Sequence, residues 1–126
     1  MLKLLRNLML AIAGFVLLVL AIATAQAAGA LAVGTCGAYG YGFDYHKEAD
    51  ARVAAMSKCT GAGCKVVGTV RRGCAAMAVD AKNPCGSFGW AINSHLGKAE
   101  NISMRRCFEY GGRDCVVRAW ACDEKG

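Results

Sequence analysis

The chain says nearly the same thing twice, and cysteines mark the repeat. Cys36-Gly37-Ala38-Tyr39-Gly40-Tyr41-Gly42 returns as Cys85-Gly86-Ser87-Phe88-Gly89-Trp90-Ala91. In each copy a polar stretch leads to a second cysteine, Cys59 or Cys107. A glycine-containing turn then leads to a third, Cys64 or Cys115, at the head of a valine-rich segment. Each copy closes on a fourth, Cys74 or Cys122, which places the repeats at about 36–79 and 85–122 with Asn83-Pro84 between them. A chain built this way is expected to fold as two like units packed together.

The cysteines number eight, and no two stand in a C-x-x-C pair. An even count without metal-ligand spacing reads as a disulfide framework rather than a zinc site. Among the 105 pairings that eight cysteines allow, a duplicated fold favours a set that maps onto itself. Cys59–Cys64 and Cys107–Cys115 would each pin a helix end to the following strand. Cys36–Cys85 and Cys74–Cys122 would each join equivalent positions of the two copies, close the longest loops and contribute most to stability.

Within each copy the hydrophobic pattern changes period. Tyr39 and Tyr41, like Phe88 and Trp90, alternate with glycine or alanine as strand residues do. From Lys47 to Cys59 the period becomes helical, with Ala49, Val53 and Met56 on one stripe and Asp44 upstream as a candidate cap. The counterpart runs from Leu96 to Cys107, with Ala99, Ile102, Ser103 and Met104 toward the core. Gly61, Gly63, Gly111 and Gly112 are placed to end these helices. Strands are expected at Cys64–Val70, Cys74–Val79 and Cys115–Trp120, the first two joined by a hairpin turn at Arg71-Arg72-Gly73. The fold class is therefore α+β: a duplicated strand-helix-strand unit, a mainly antiparallel sheet with two helices on one face, stapled by disulfides.

The N-terminus reads as a secretory signal over residues 1–27. Lys3 and Arg6 form a positive start, Leu8 to Ala23 carries no charge, and Ala25-Gln26-Ala27 suits a signal peptidase. Cleavage is expected after Ala27, with Ala25 as the alternative. That leaves 28–126 as one disulfide-rich domain, periplasmic or secreted, with no stable membrane insertion. Removing Lys3 and Arg6 from the 15 basic residues leaves 13 against 9 acidic, a net charge of +4. The basic residues are scattered, so a nucleic-acid surface is not expected.

Several segments together resemble the bacterial domain of unknown function 4189 family. They are Gly-x-Gly-Cys-x-Val-Val at Gly61 to Val67, Cys-Ala-Ala-x-Ala at Cys74 to Ala78, Phe-Gly-Trp-Ala at Phe88 to Ala91, and the closing Cys115 to Cys122. The resemblance covers nearly all of the chain after residue 27. It implies an exported, cysteine-bearing fold of repeated units, and it carries no catalytic set.

The residues themselves offer little chemistry. His46 and His95 precede the two helices, but an acid–base pair is not evident at His95. No serine stands in a G-x-S-x-G context, and an even cysteine count leaves no spare thiol. Gly37 to Gly42 lacks the Lys-Ser/Thr of a phosphate loop, and neither cofactor nor metal is implied. The favoured function is an interaction module for an unknown exported protein or cell-envelope component, as an inhibitor or protective partner. The alternative is a small cell-wall-directed hydrolase. No catalytic residue is assigned; Arg71, Arg72 and Tyr45 are the candidate contact residues, with Trp90 and Phe88 expected in the core.

Overall fold

The structure, a computed structural model of the whole chain, describes residues 1–23 and 27–123, with side chains for 1–17 and 27–123. Helix α1 (Leu2–Ala23) exposes its leucines and Phe15 over the described part. Among the described residues no helix is long and apolar enough to cross a membrane. Ala25 and Gln26 of the expected cleavage motif lie outside the described residues.

The domain consists of two units with one order of elements. The first is β1 (Ala28–Val33), β2 (Tyr39–Tyr45), α2 (Glu48–Lys58) and β3 (Lys65–Arg71). The second is β4 (Cys74–Asp80), β5 (Phe88–Asn93), α3 (Leu96–Glu109) and β6 (Cys115–Cys122). Each unit makes its own three-stranded antiparallel sheet, in the order β2-β1-β3 and β5-β4-β6. The structural repeat is thus framed one strand earlier than the cysteines suggest, at 28–71 and 74–122. Strand β1 is the counterpart of β4 but carries no cysteine to announce it.

Arg72-Gly73 does not close a hairpin. It carries the chain from one sheet to the other, with Arg72 in the left-handed region at φ 54°. Buried Asp123 holds this corner by accepting hydrogen bonds from the Arg72 and Gly73 backbone N–H groups. Two separate sheets, not one, are the result.

The two central strands are buried along both faces, and each sorts its side chains by size. Leu31 and Val33 of β1 and Ala75, Met77 and Val79 of β4 meet between the sheets, joined by Val70. On the other face of β1, Ala30 and Ala32 lie against Ala51, Ala55 and Cys59 of the α2 segment. On the other face of β4, Ala76 contacts Ala99, and Ala78 contacts Cys107. The layers therefore run helix, sheet, sheet, helix, each helix covering the outer face of its own sheet. The two helices lie on opposite sides of the molecule instead of sharing one face.

Close approach explains which helix residues are buried. A Cβ added at Gly40 would stand 2.2 Å from the Ala55 carbonyl oxygen, and one at Gly89 2.3 Å from that of Ser103. Only small residues fit at such a contact, so the inner stripes are Ala51, Ala55 and Cys59, and Ala99, Ser103 and Cys107. Val53 and Met56, expected inside by hydrophobicity, are exposed. Alternation in β2 and β5 has the same origin: small residues lie under the helix while the rings face the opposite sheet. Asp44 does not cap α2, whose N-cap is Lys47. Gly63 and Gly111 take positive φ after the helices.

Four bridges are present: Cys36–Cys85, Cys59–Cys64, Cys74–Cys122 and Cys107–Cys115. Cys59–Cys64 and Cys107–Cys115 are equivalent, each tying a helix C-terminus to the next strand. Cys36–Cys85 links equivalent positions of the two units. Cys74–Cys122 does not: Cys74 and Cys122 are register partners on β4 and β6 of one sheet. In the first sheet the same place is held by Ala28 and Arg71.

At the other end of β4, Asp80 gathers the loops. Its carboxylate accepts from the backbone N–H groups of Arg113 at 3.1 Å, Lys82 at 2.9 Å and Asn83 at 3.2 Å. These bonds, that from Arg113 foremost, hold its pKa below the ordinary aspartate value against the opposing effect of desolvation.

Three outcomes follow from this packing. Gly89→Ala is expected to destabilise the fold by about 2 kcal/mol or more, whereas Gly97→Ala, in open space on α3, should raise stability by ~0.5–1 kcal/mol; chemical denaturation of both variants separates the two effects. Chain entropy alone assigns about 4 kcal/mol to the 49-residue span of Cys36–Cys85 and about 2 kcal/mol to the 5-residue span of Cys59–Cys64. Paired Cys→Ser variants should therefore differ in melting temperature in that order. A depressed aspartate pKa stabilises fully above the unfolded value near pH ~4 and is lost as the pH falls through the folded pKa. Wild type and Asp80→Asn should accordingly differ most at neutral pH and converge below about pH 4 in thermal melts.

Candidate functional site

Two sheets packed face to face leave two seams where their edge strands meet. Strand β2 meets β6 at one seam, and β5 meets β3 at the other. Exchanging the units exchanges the seams, so their residues correspond. Tyr39 and Phe88 pair with Val33 and Val79, and Tyr41 and Trp90 with Leu31 and Met77. The seams are nevertheless unequal.

The difference begins at a bulge common to both sheets. Along β3, Val66 pairs with Ala32 and Gly68 with Leu31, leaving Val67 as the extra residue. Along β6, Val117 pairs with Ala78 and Ala119 with Met77, leaving Arg118. A bulge re-aims the side chain it carries. Val67 packs against the core between the sheets. Arg118 turns outward, donates from Nε to the Gly37 carbonyl at 3.0 Å, and lies 5.9 Å from the Tyr39 ring centroid. The Gly37–Ala38 turn that receives it is fixed by the neighbouring Cys36–Cys85 bridge.

Around Arg118 the β2–β6 seam opens as a groove. Tyr39 and Tyr41 stack with ring centroids 6.1 Å apart and an interplanar angle of 11°, and Phe43 meets Tyr41 edge-on. Gly29 leaves room for the Phe43 ring, which a Cβ would strike at 2.6 Å. Tyr41 is 36% and Trp120 54% exposed. Beside the Thr35–Gly37 turn the groove widens to a cleft of about 640 Å³, with Lys58 and Thr60 on the far wall. Among the described residues, no carboxylate lines this groove, and neither Lys58 nor Arg118 has an ion-pair partner.

The other unit's cleft, lined by Phe88, Trp90, Arg106 and Tyr110, is arranged differently. Arg106 sits 5.6 Å from the Trp90 ring centroid and donates from Nη1 to the Trp90 carbonyl at 2.6 Å. Its cation is committed to the protein. On the neighbouring seam Gly68 admits Ile92, whose Cδ1 would lie 2.4 Å from an added Cβ.

The residues expected to make contacts lie elsewhere. Tyr45 and Arg71 both pair with Ala28, from opposite sides, on the helix-facing surface of the first sheet. Tyr45 is half-buried against the core under α2 rather than the exposed ring, because its strand ends beneath that helix. Arg71 is exposed but faces Glu48 at 3.8 Å. Arg72 sits at the sheet-to-sheet corner. Phe88 is 37% exposed and Trp90 half-buried, so neither is enclosed in the core.

His46 and His95 occupy equivalent exposed turns before α2 and α3. His95 Nδ1 lies 2.8 Å from Ser94 Oγ, and no carboxylate is hydrogen-bonded to either imidazole among the described residues. All eight cysteines are bridged. No cluster of three metal-ligating side chains occurs among the described residues.

Arg118, Trp120 and Lys58 went unnoticed in the sequence. Laying the repeats over one another at Cys64 and Cys115 marks the first two, since Val67 then stands against Arg118 and Thr69 against Trp120. A family model described as Domain of unknown function (DUF4189) matches residues 28–122. Neither a curated protein nor a solved structure matches the chain.

Proposed function

Since the chain belongs to the DUF4189 family, whose description assigns no chemistry, we propose from its own geometry that it is an exported binding module. Its contact surface is the β2–β6 groove, and its partner is another exported protein or a component of the cell envelope. The observation that carries this reading is the inequality of the seams. Where one unit packs Val67 against the core, the other holds an arginine with no ion-pair partner among the described residues, beside the exposed rings of Tyr41 and Trp120. Tyr, Trp and Arg are the side chains that dominate binding surfaces.

Other features agree. Four disulfides suit an oxidising compartment, and the N-terminal segment has the build of a cleaved leader. A framework locked by bridges loses little conformational freedom on binding. Groove side chains already held by stacking and by the Arg118–Gly37 hydrogen bond add to that economy of motion.

The test is affinity capture from periplasmic and secreted fractions with the oxidised protein. Wild type and Arg71→Ala should recover the same partner, whereas Arg118→Val and Trp120→Ala should lose most of it while keeping the wild-type melting temperature to within a few degrees. Equal recovery by all four proteins would remove the groove from the interaction.

A further inference from the structure

We infer that the occupant of the β2–β6 groove is a carboxylate-bearing glycan chain, an inference that rests on the binding-module reading above. Two kinds of group line the groove, and together they select this chemistry. The first is a set of apolar ring surfaces open to solvent: Tyr41, braced by stacking on Tyr39, and Trp120 across the seam. Such rings pack against the C–H faces of sugars, which combine an apolar face with a polar rim.

The second is a pair of cations with no counter-charge among the described residues. Arg118 is anchored through Nε, which leaves its two Nη groups without a protein partner among the described residues. Lys58 stands at the same end of the groove. A fixed guanidinium with both Nη groups available is the geometry that receives a carboxylate in bidentate fashion. Among the described residues no acid lines the groove to compete for these cations.

The geometry weighs against two other occupants. A single-stranded nucleic acid presents a charge at every nucleotide and is bound by a basic track along its backbone. Two cations at one end of a groove do not make such a track. A peptide strand adding to the edge of β6 would need an uninterrupted row of backbone partners. The bulge at Arg118 breaks that row. Sugar rings need neither feature.

The experiment uses the oxidised protein and defined oligosaccharides: an oligogalacturonate, its methyl ester, and a neutral glucan of equal length. Polyglutamate and oligo-dT serve as the competing polyanions. Binding is read by calorimetry and by the fluorescence of Trp120, with Trp120→Phe identifying the signal. The oligogalacturonate should bind, its methyl ester should bind about tenfold or more weakly, and Arg118→Val should abolish the difference between them. Arg105→Ala, which removes an exposed cation paired with Glu109 on α3, should change nothing and controls for net charge.

Equal affinity for the ester, or tighter binding of polyglutamate or oligo-dT, would overturn the glycan assignment. So would an unchanged affinity in Arg118→Val. Should no polyanion bind while Arg118→Val still loses the captured partner, the glycan inference fails and the groove remains a binding surface. Should the variant capture everything that wild type does and no glycan bind, both fail.

Discussion

Everything in this fold hangs on how closely each helix lies on its sheet. Backbone carbonyls of α2 and α3 come so close to the strands that even the methyl group of an alanine would collide with them at Gly40 or Gly89. That contact consumes small residues on the helix-facing side of β1, β2, β4 and β5. The large ones, Leu31, Val70, Met77 and Val79, are left for the other face. A short chain with a modest core gains from this division, because the space between the sheets is filled by branched and long side chains at the density stable interiors need. The disulfides finish the work at the helix ends, where Cys59 and Cys107 occupy the last position of each inner stripe.

Much of this was legible before any coordinates. Alternation of rings with glycines announces strands of period two, and the glycine pairs after each helix announce its end. Two of them, Gly63 and Gly111, do adopt positive φ. What misled was the equation of burial with hydrophobicity. In α2 the most apolar side chains, Val53 and Met56, are exposed, while Ala51 and Ala55 are fully enclosed. Hydrophobic periodicity reflects transfer free energy, whereas the quantity that decides burial here is the thickness available between helix and strand.

The frame of the repeat was misread for a related reason. Cysteines are conspicuous and alanines are not, so β1, with its Ala-Gly-Ala-Leu-Ala-Val, escaped recognition as the partner of β4. Misplacing that strand turned the Arg72-Gly73 crossing into a hairpin tip. It also made Cys74–Cys122 a link between units, where register shows it to be a rung within one sheet. A hairpin tip there would project Arg71 and Arg72 into solvent, which is what makes them read as contacts. The groove could not be read from one copy alone, because its walls come from β2 of one unit and β6 of the other.

The two-residue crossing at Arg72-Gly73 has a consequence for what such a molecule can become. Two separate chains of one unit each, assembled about a two-fold axis, would carry every residue in duplicate: an arginine at one bulge would stand at the other as well, and both seams would be alike. Tethered in a single polypeptide, the halves keep the shape of a symmetric dimer and escape its bookkeeping. Val67 can stay packed against the core while its counterpart becomes Arg118, so one seam maintains the assembly and the other is free to be something else.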